Sequence, residues 1–349
     1  MTRKLNDMQR RLFLSGSAAS VLGLAGCGGG GGGVPLGEAP AGVVTDPSNL
    51  SGTPQVPGSP TQQPQSPGQS PQTESPGQQP SGPTLPQKVL ATYYTTWDTG
   101  RYSLTDIPSD FNVIYLFHSK PNGSPVGGSY NNVGNGSFMF EHYGSVPVSD
   151  IQACRSRGQR VILTVGGASA GFNFDTRSES RNFVASFQEM SNRLGGFDGC
   201  DFNNFEAGIG SSPTELIWIS EQLKSLYGTG FAITAPPQPN STEDLAMLRA
   251  LANAGVLSWA APQYYDWSGF NAVGFIRNRT NDWVNAIGAE RVVLGLAANY
   301  ANGPSLQDCI REWDAVKAAH PGIRGMFCWN AQLNLAGGNV WGSTMRARM

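Results

Sequence analysis

The chemically richest segment of the chain places carboxyl and amide side chains at close spacing. It begins at Asp198, continues with Asp201, Asn203 and Asn204, and ends at Glu206. Carboxyl groups can donate or accept protons in catalysis, whereas amides hold a ligand by hydrogen bonds alone. The segment therefore indicates a site in which an acid is supported by neighbouring polar groups.

Aromatic side chains end two other apolar segments. Gln263 precedes Tyr264, Tyr265 and Asp266, and Trp329 closes the last apolar run. An aromatic face next to carboxylates and amides suits a sugar ring, because the ring offers apolar C–H faces and polar edges.

Composition and spacing argue against several other classes of protein. The 349 residues carry a net charge of -2, so the usual electrostatic argument for nucleic-acid binding is missing. The three histidines and five cysteines show neither C-x-x-C nor H-E-x-x-H spacing. We therefore expect no nucleic-acid partner, no metal and no cofactor.

Residues 89–349 alternate short apolar runs with segments of helical periodicity. Repeated β–α units favour a parallel sheet, and the length is close to the roughly 250 residues of a (β/α)8 TIM barrel. We predict an α/β fold with a single barrel domain. Its eight predicted strands are 89–94, 111–117, 160–166, 197–204, 231–235, 258–264, 291–296 and 323–329.

Between the strands, apolar residues recur on one face of several predicted helices. Residues 121–144 are instead polar and glycine-rich, so we predict a long loop that forms one wall of a cleft. The helical signals are the stripes Phe183, Phe187, Met190, Leu194 and Leu216, Ile219, Leu223, Leu226, with start signals at 212–215 and 305–308.

The order of the strands brings the polar segments together. In such barrels the active site lies at the carboxyl ends of the strands. Asp201, Tyr265 and Trp329 lie near the ends of predicted strands, so we expect their side chains to meet at one mouth. Gly166 and Gly167 should let the backbone pack closely at the end of the third strand.

Five motifs in a specific order give the chain a resemblance to glycoside hydrolase family 18, the chitinases and their relatives. The resemblance covers nearly all of residues 89–349. Residues 161–167 resemble the family's S-x-G-G segment, with Thr164 for serine, and residues 198–201 start like D-G-x-D-x-D-x-E. Residues 235–238 are similar to the strand-five segment of the compact plant-type branch, and residues 263–266 resemble M-x-Y-D with the glutamine of that branch. Trp329 matches the tryptophan of the last strand.

The resemblance implies substrate-assisted retaining hydrolysis of β-linked N-acetylglucosamine polymers, in which the sugar's own acetamido oxygen attacks the anomeric carbon. It makes Glu206 the general acid, Tyr265 the donor that holds the acetamide, and Trp329 the floor beneath the ring. The resemblance also implies catalytic roles for Asp201 and Asn204, and substrate binding by Asn203, Gln263 and Asp266.

The acidic segment departs from the family pattern at its end. The pattern places glutamate where this chain has Phe205, and Glu206 follows one residue later. Because strand side chains alternate between faces, Glu206 points out of the barrel unless a β-bulge between Asn203 and Phe205 turns it inward. With the bulge, Asn204 and Glu206 form an inward Asn-x-Glu pair, locally similar to that of the endo-β-N-acetylglucosaminidases of glycoside hydrolase family 85.

Two functions follow from this departure. The first is a glycosidase acting on chitin or chitooligosaccharides, with peptidoglycan fragments or glycoprotein glycans as second choice of substrate. The alternative is a lectin-like protein that binds the chain without cleaving it, as family members that have lost the glutamate do. An amide at position 204 can bond the acetamide, but it cannot supply negative charge to the oxazolinium.

The N-terminal segment resembles an export signal followed by a tether. Arg10 and Arg11 resemble a twin-arginine signal, and residues 24–27 resemble a lipobox with lipidation at Cys27. An ordinary cleaved signal is the alternative. Residues 28–88 are rich in Gly, Pro, Ser and Gln, which predicts a disordered linker. We expect signal (1–27), linker (28–88) and barrel (89–349) in one monomer, lipid-anchored to the bacterial cell envelope at the outer membrane or cell surface.

Several other residues are compatible with either a structural or a functional interpretation. Asp198 and Asp201 can serve the site or cap or bridge strands, and Tyr265 and Trp329 can serve the site or be core aromatics. Trp97, Trp267 and Trp341 can extend a sugar site or pack in the core. The four cysteines of the barrel, which allow three disulfide pairings or remain buried thiols, are Cys154, Cys200, Cys309 and Cys328.

Overall fold

The computed structural model describes residues 84–204, 210–266, 269 and 272–349. Over these residues the chain forms a nearly closed barrel of eight parallel strands surrounded by helices, which confirms the predicted fold class. The predicted export signal, Cys27 and the linker up to residue 83 lie outside the described residues, as do Glu206 and Trp267.

Parallel ladders join neighbouring barrel strands all around the ring except between the seventh and eighth strands of the sequence order. The strands are β1 (Val89–Thr95), β2 (Val113–Pro121), β3 (Phe138–Met139), β4 (Arg160–Gly166), β5 (Gly199–Asn203), β6 (Ala232–Ala235), β7 (Trp259–Ala260), β8 (Val293–Ala297) and β9 (Gly325–Trp329). The short β3 pairs antiparallel with the end of β2, and the others follow the order β7-β6-β5-β4-β2-β1-β9-β8. Between β7 and β8 the ring is held by isolated bridges from Ala260 to Val292 and from Gln263 to Gly295.

All eight predicted strands coincide with barrel strands, and the differences lie at their ends. The bounds of β4 are as predicted, whereas β2 starts two residues late, at Val113, and continues to Pro121, where it pairs with β3. The predicted sixth strand keeps only Trp259–Ala260 as a ladder, because Pro262 has no N–H to donate.

Six of the described helices lie between strands and two follow the last strand, and four of the eight begin with a side-chain cap. They are α1 (Val148–Ser156), α2 (Arg177–Arg193), α3 (Pro213–Tyr227), α4 (Thr242–Asn253), α5 (Phe275–Ile287), α6 (Leu306–Ala319), α7 (Ala331–Ala336) and α8 (Val340–Arg346). Ser305 caps α6 by accepting a bond from the Asp308 N–H, as predicted. Pro213 occupies the first turn of α3, but the Glu215 carboxylate binds Arg177 and makes no capping box.

Side chains on the strands alternate between an inner and an outer core. Inward residues, among them Tyr93, Tyr115 and Trp259, cluster inside the barrel, and outward residues pack beneath the helices. The strands are therefore buried on both faces, as expected for a parallel barrel. The predicted helical stripes belong to the outer core except for Leu226, which is 43% exposed. None of the helices in the described part of the chain is long and apolar enough to cross a bilayer.

The predicted long loop after β2 packs against the loop that follows β4. The backbone N–H groups of Tyr130 and Asn132 donate to the carbonyls of Ser169 and Gly171, at 2.7 and 2.8 Å. In return the Gly171 N–H donates to the side chain of Asn131 at 2.6 Å. These bonds join the two loops above the carboxyl ends of β2 and β4.

The chain enters the barrel at the opposite end, where the strands begin. Arg160 donates to the carbonyl of Thr84 at 3.2 Å, and Arg324 donates to the carbonyl of Pro86 at 2.9 Å. Leu85 packs against the inner core between these two contacts. Residues 84–86 therefore cover the amino-terminal end of the barrel.

Gly166 permits a close approach of backbone at the mouth, as predicted. Its φ is 86°, a conformation that favours glycine. A Cβ atom at this position would lie 2.2 Å from the Asn203 carbonyl oxygen and 2.6 Å from the Phe172 ring. Any side chain at Gly166 therefore displaces the end of β5.

We expect Gly166→Ala to destabilise the protein well beyond the effect of positive φ alone. The matched control is Gly158→Ala, since Gly158 has a φ of 85° and open space where a Cβ would stand. Backbone strain at either position costs about 1–3 kcal/mol, and the clash at Gly166 adds about 1–3 kcal/mol. Urea unfolding measures the loss of unfolding free energy in both variants. Equal losses would show that the end of β5 moves aside at no energetic cost, and would contradict the prediction.

Candidate functional site

A buried carboxylate stands at the centre of the barrel. Asp201 of β5 accepts hydrogen bonds from Tyr93 of β1 at 2.8 Å, Thr164 of β4 at 3.1 Å and Thr234 of β6 at 2.6 Å. Its exposed fraction is zero. Burial raises the pKa of Asp201 to about 6, although the three hydroxyl donors lower it. The sequence motifs include Asp201 and Thr164, but they do not predict that Tyr93, Thr164 and Thr234 hold this carboxylate.

The alternation of β5 places Asn203 on the face of Asp201. Cys200 and Phe202 lie on the other face and pack in the outer core. The Asn203 carbonyl accepts a bond from the Gly167 N–H at 2.7 Å, and the residue is 5% exposed. The inner face of β5 thus carries a carboxylate followed by a neutral amide.

Asn204 points its amide at the loop after β4. Its Oδ1 accepts from the Phe172 N–H at 3.0 Å, and its Nδ2 donates to the Phe172 carbonyl at 2.7 Å. The residue is 2% exposed. The sequence predicts that this amide bonds the acetamide of a sugar, whereas in the structure both of its polar atoms bond the Phe172 backbone. Glu206, its predicted partner, lies outside the described residues.

Two predicted aromatic residues meet at the mouth. The rings of Tyr265 and Trp329 are stacked, with centroids 6.3 Å apart and an interplanar angle of 23°. Tyr93 connects this pair to the buried carboxylate, because its ring lies 5.6 Å from Trp329 while its hydroxyl binds Asp201. The structure therefore brings Asp201, Tyr265 and Trp329 together, as the strand order predicts.

Trp97 extends the aromatic surface away from the centre. Its ring stands edge-on to Phe117 at 5.6 Å, and Phe117 stands edge-on to Trp329 at 5.1 Å. Trp97 is 53% exposed, so its face is open to a ligand. Trp341, by contrast, is buried and stacked on Phe111, which is the packing alternative.

Gln263 and Asp266 occupy different positions although both follow β7. The Gln263 side chain donates to the Pro236 carbonyl at 2.7 Å and is 5% exposed, so it helps to close the ring. Asp266 accepts a bond from the Tyr300 hydroxyl and is partly exposed beside Tyr265. Burial raises the pKa of Asp266, and the Tyr300 bond opposes that rise.

Other candidate residues have structural roles. Asp198 is fully buried, accepts from the Val161 N–H at 2.9 Å and pairs with Arg155 at 3.2 Å. The barrel cysteines Cys154, Cys200, Cys309 and Cys328 are all free and buried, so none of the three possible pairings forms. In the described ranges, no group of His, Cys, Asp or Glu residues could hold a metal ion.

Two curated proteins with sequence similarity to this chain are endochitinases. No family model matches the chain. Endochitinase 3 of Metarhizium robertsii is 28% identical over 223 residues, which cover 56% of this chain and 67% of that protein. The acidic endochitinase of Nicotiana tabacum is 29% identical over 169 residues, covering 43% of this chain and 54% of the tobacco protein. The match thus spans only about half of the tobacco relative.

Solved structures show the same barrel. A family GH18 chitinase from Chromobacterium violaceum has a TM-score of 0.60 and 17% identity, over 76% of this chain and 84% of that one. The xylanase and α-amylase inhibitor protein XAIP-II from Scadoxus multiflorus has a TM-score of 0.59 and 17% identity, over 74% of this chain and 98% of that one. These likenesses show that the chain shares the barrel fold, and such a barrel does not by itself assign an activity.

Asp201→Asn should remove a pH dependence of stability. The pKa of Asp201 is raised to about 6 by burial, so the folded protein binds this proton more tightly than the unfolded chain. Stability from this group is therefore present at low pH and is lost as pH rises through about 4 to 7, by at most about 3 kcal/mol. Urea unfolding should show the difference, wild type minus variant, falling over that range; a constant difference would contradict the raised pKa.

Proposed function

We propose that the barrel binds β-linked N-acetylglucosamine chains of the chitin type at its mouth and holds them without cleaving them. The observation that carries the proposal is the stacked pair Tyr265 and Trp329, joined through Tyr93 to the buried Asp201. Trp329 is partly exposed, whereas Tyr265 is 2% exposed and packs against it, so Trp329 offers the apolar face. An apolar face bordered by hydrogen-bonding groups matches the faces and edges of a pyranose ring.

The mouth is suited to a chain of sugars. Trp97 offers a second exposed aromatic face, and Phe117 lies between it and Trp329. Two separated aromatic platforms can take two rings of one oligosaccharide, so affinity should increase with chain length. This favours an oligomer or polymer over a free monosaccharide as the ligand.

Similar proteins support this class of ligand. The two curated relatives are endochitinases, whose names point to chitin. The Scadoxus protein with the same fold is named as an inhibitor, so this barrel also serves proteins known for something other than cleavage. The comparisons therefore agree with a chitin-type ligand and are compatible with binding alone.

Binding of the sugar chain without cleavage is favoured by the polar groups of β5. Asp201 already accepts three hydroxyl bonds, and Asn203, on the same face, carries no charge. The amide of Asn204 is held by the Phe172 backbone. Stabilising a positively charged intermediate needs a nearby negative group, and neither amide supplies one.

Trp329→Ala should weaken binding of an N-acetylglucosamine tetramer by at least about tenfold, because it removes the ring on which the sugar stacks. Isothermal titration calorimetry measures the affinity of wild type and variant. Trp218→Ala is the matched control, since Trp218 lies on α3 against Arg177, outside the barrel. A cellulose tetramer, which lacks acetamides, tests ligand selectivity.

The binding proposal fails if wild-type protein shows no affinity for the N-acetylglucosamine tetramer. It also fails if Trp329→Ala and Trp218→Ala bind equally well, because the stacked pair would then have no part in recognition.

Cleavage with Glu206 as general acid is the second candidate function. It is favoured by the place of Glu206 in the sequence, three residues after β5 ends at Asn203, and by the endochitinase relatives. In this reaction Glu206 protonates the glycosidic oxygen, the acetamido oxygen bonds the anomeric carbon, and the glycosidic bond breaks so that the leaving sugar departs as an alcohol. Water then opens the oxazolinium and returns a proton to Glu206. Tyr265 would donate a hydrogen bond to the acetamide.

Release of reducing ends from a chitin oligomer distinguishes the two functions. If cleavage occurs, Glu206→Gln should lower its rate by about 10²–10⁴-fold, the usual worth of a general acid. Glu221→Gln, an exposed glutamate on α3, should leave the rate unchanged. Binding without release of reducing ends by wild type would support retention, whereas Glu206-dependent release would replace it with hydrolysis.

A further inference from the structure

The loop after β8 is tied to Asp266 at two points. The Tyr300 hydroxyl donates to Asp266 Oδ1 at 2.5 Å, and the Asp266 N–H donates to the Asn302 carbonyl at 2.9 Å. One bond fixes the carboxylate and the other fixes its backbone. Side chain and main chain of Asp266 are therefore both positioned by residues 300–302.

Asp266 needs this support because of its backbone conformation. Its φ is 71°, in the left-handed region that residues other than glycine seldom adopt. Such a conformation persists only where neighbouring structure holds it, and it often occurs where a side chain is aimed at a ligand. The ties from Tyr300 and Asn302 are the contacts that hold it here.

The clamped carboxylate lies at the edge of the aromatic mouth. The Tyr300 ring stands edge-on to Tyr265 at 6.1 Å, and Tyr265 is stacked on Trp329. Tyr300 and Asp266 are both partly exposed. Within the described residues, Tyr300 is the one side chain that donates to the Asp266 carboxylate, so the carboxylate keeps acceptor capacity for a further donor.

We propose that Tyr300 is a positioning residue: it holds one oxygen of Asp266 so that the other accepts a hydrogen bond from a hydroxyl or amide N–H of the bound sugar chain. This inference rests on the proposed binding of N-acetylglucosamine chains. A sugar offers several such donors, and a charged acceptor bonds them more strongly than a neutral one. The edge of the mouth thereby gains a selective polar contact beside its aromatic floor.

A tyrosine suits this role because its hydroxyl is a neutral donor. It lowers the pKa of Asp266 against the effect of burial without neutralising the charge that the ligand meets. Among the described residues, the titratable groups around Asp266 are Tyr265 and Tyr300, and burial raises the pKa of both, so neither ionises near neutrality. Asp201 lies behind Tyr265 and titrates near pH 6, so variants must be compared with Asp201 intact.

The test is the affinity for the N-acetylglucosamine tetramer as a function of pH, in wild type, Tyr300→Phe, Asp266→Asn and the double variant. Tyr300→Phe should weaken binding about three- to tenfold at neutral pH. It should also move the pH at which affinity is lost on acidification upward, because the pKa of Asp266 rises without its donor. The double variant should bind no worse than Asp266→Asn.

Tyr264→Phe is the matched control. Its hydroxyl bonds Thr280 at 2.8 Å on the outer side of the barrel, so its removal should leave affinity and its pH dependence unchanged. An unshifted pH profile in Tyr300→Phe, or additive losses in the double variant, would overturn the inference while wild-type binding persists. Absence of wild-type binding would instead overturn the proposed function, and the positioning role with it.

Discussion

One buried carboxylate organises the interior of this barrel. Asp201 has no exposure to water, so its oxygens must find donors within the protein, and they find hydroxyls on β1, β4 and β6. These bonds connect β5 to both of its neighbours and to β1. Because the Tyr93 ring also contacts Trp329, satisfying the carboxylate sets the position of the aromatic mouth. The polar centre and the apolar floor are therefore one structural unit.

The charge on the residues around Asp201 bears on the choice between the two proposed functions, sugar binding and hydrolysis. Three hydroxyls surround Asp201, and the next inward residue, Asn203, is neutral. A glycosidase of the substrate-assisted kind needs a protonated acid and a negative group near the anomeric carbon. Within the described ranges Asp266 is the partly exposed carboxylate beside the aromatic pair, and it stands at the edge of the mouth. The two proposed functions therefore differ in whether Glu206 acts as the general acid.

Sequence patterns predicted the strands well, but they predicted poorly which hydrogen bonds the side chains of the site make. Eight apolar runs gave eight strands, because parallel strands are buried on both faces. The meeting of Asp201, Tyr265 and Trp329 followed from strand order. The binding of Asn204 to the Phe172 backbone was not predictable, since it depends on a loop conformation that carries no periodic signal. The contact of Tyr300 with Asp266 was not predicted for the same reason, although a tyrosine shortly after the predicted strand 291–296 could have indicated a site residue.

The position where the chain enters the barrel has a mechanical consequence. Residues 84–86 cover the end where the strands begin, and the aromatic mouth opens at the other end. A ligand held at the mouth while the preceding chain is held elsewhere, as by the lipid that we predict at Cys27, would pull the barrel lengthwise. That load passes into β1, which is paired on both sides with β2 and β9. Its ladders run along the pull, so their hydrogen bonds share the force in shear instead of opening one after another.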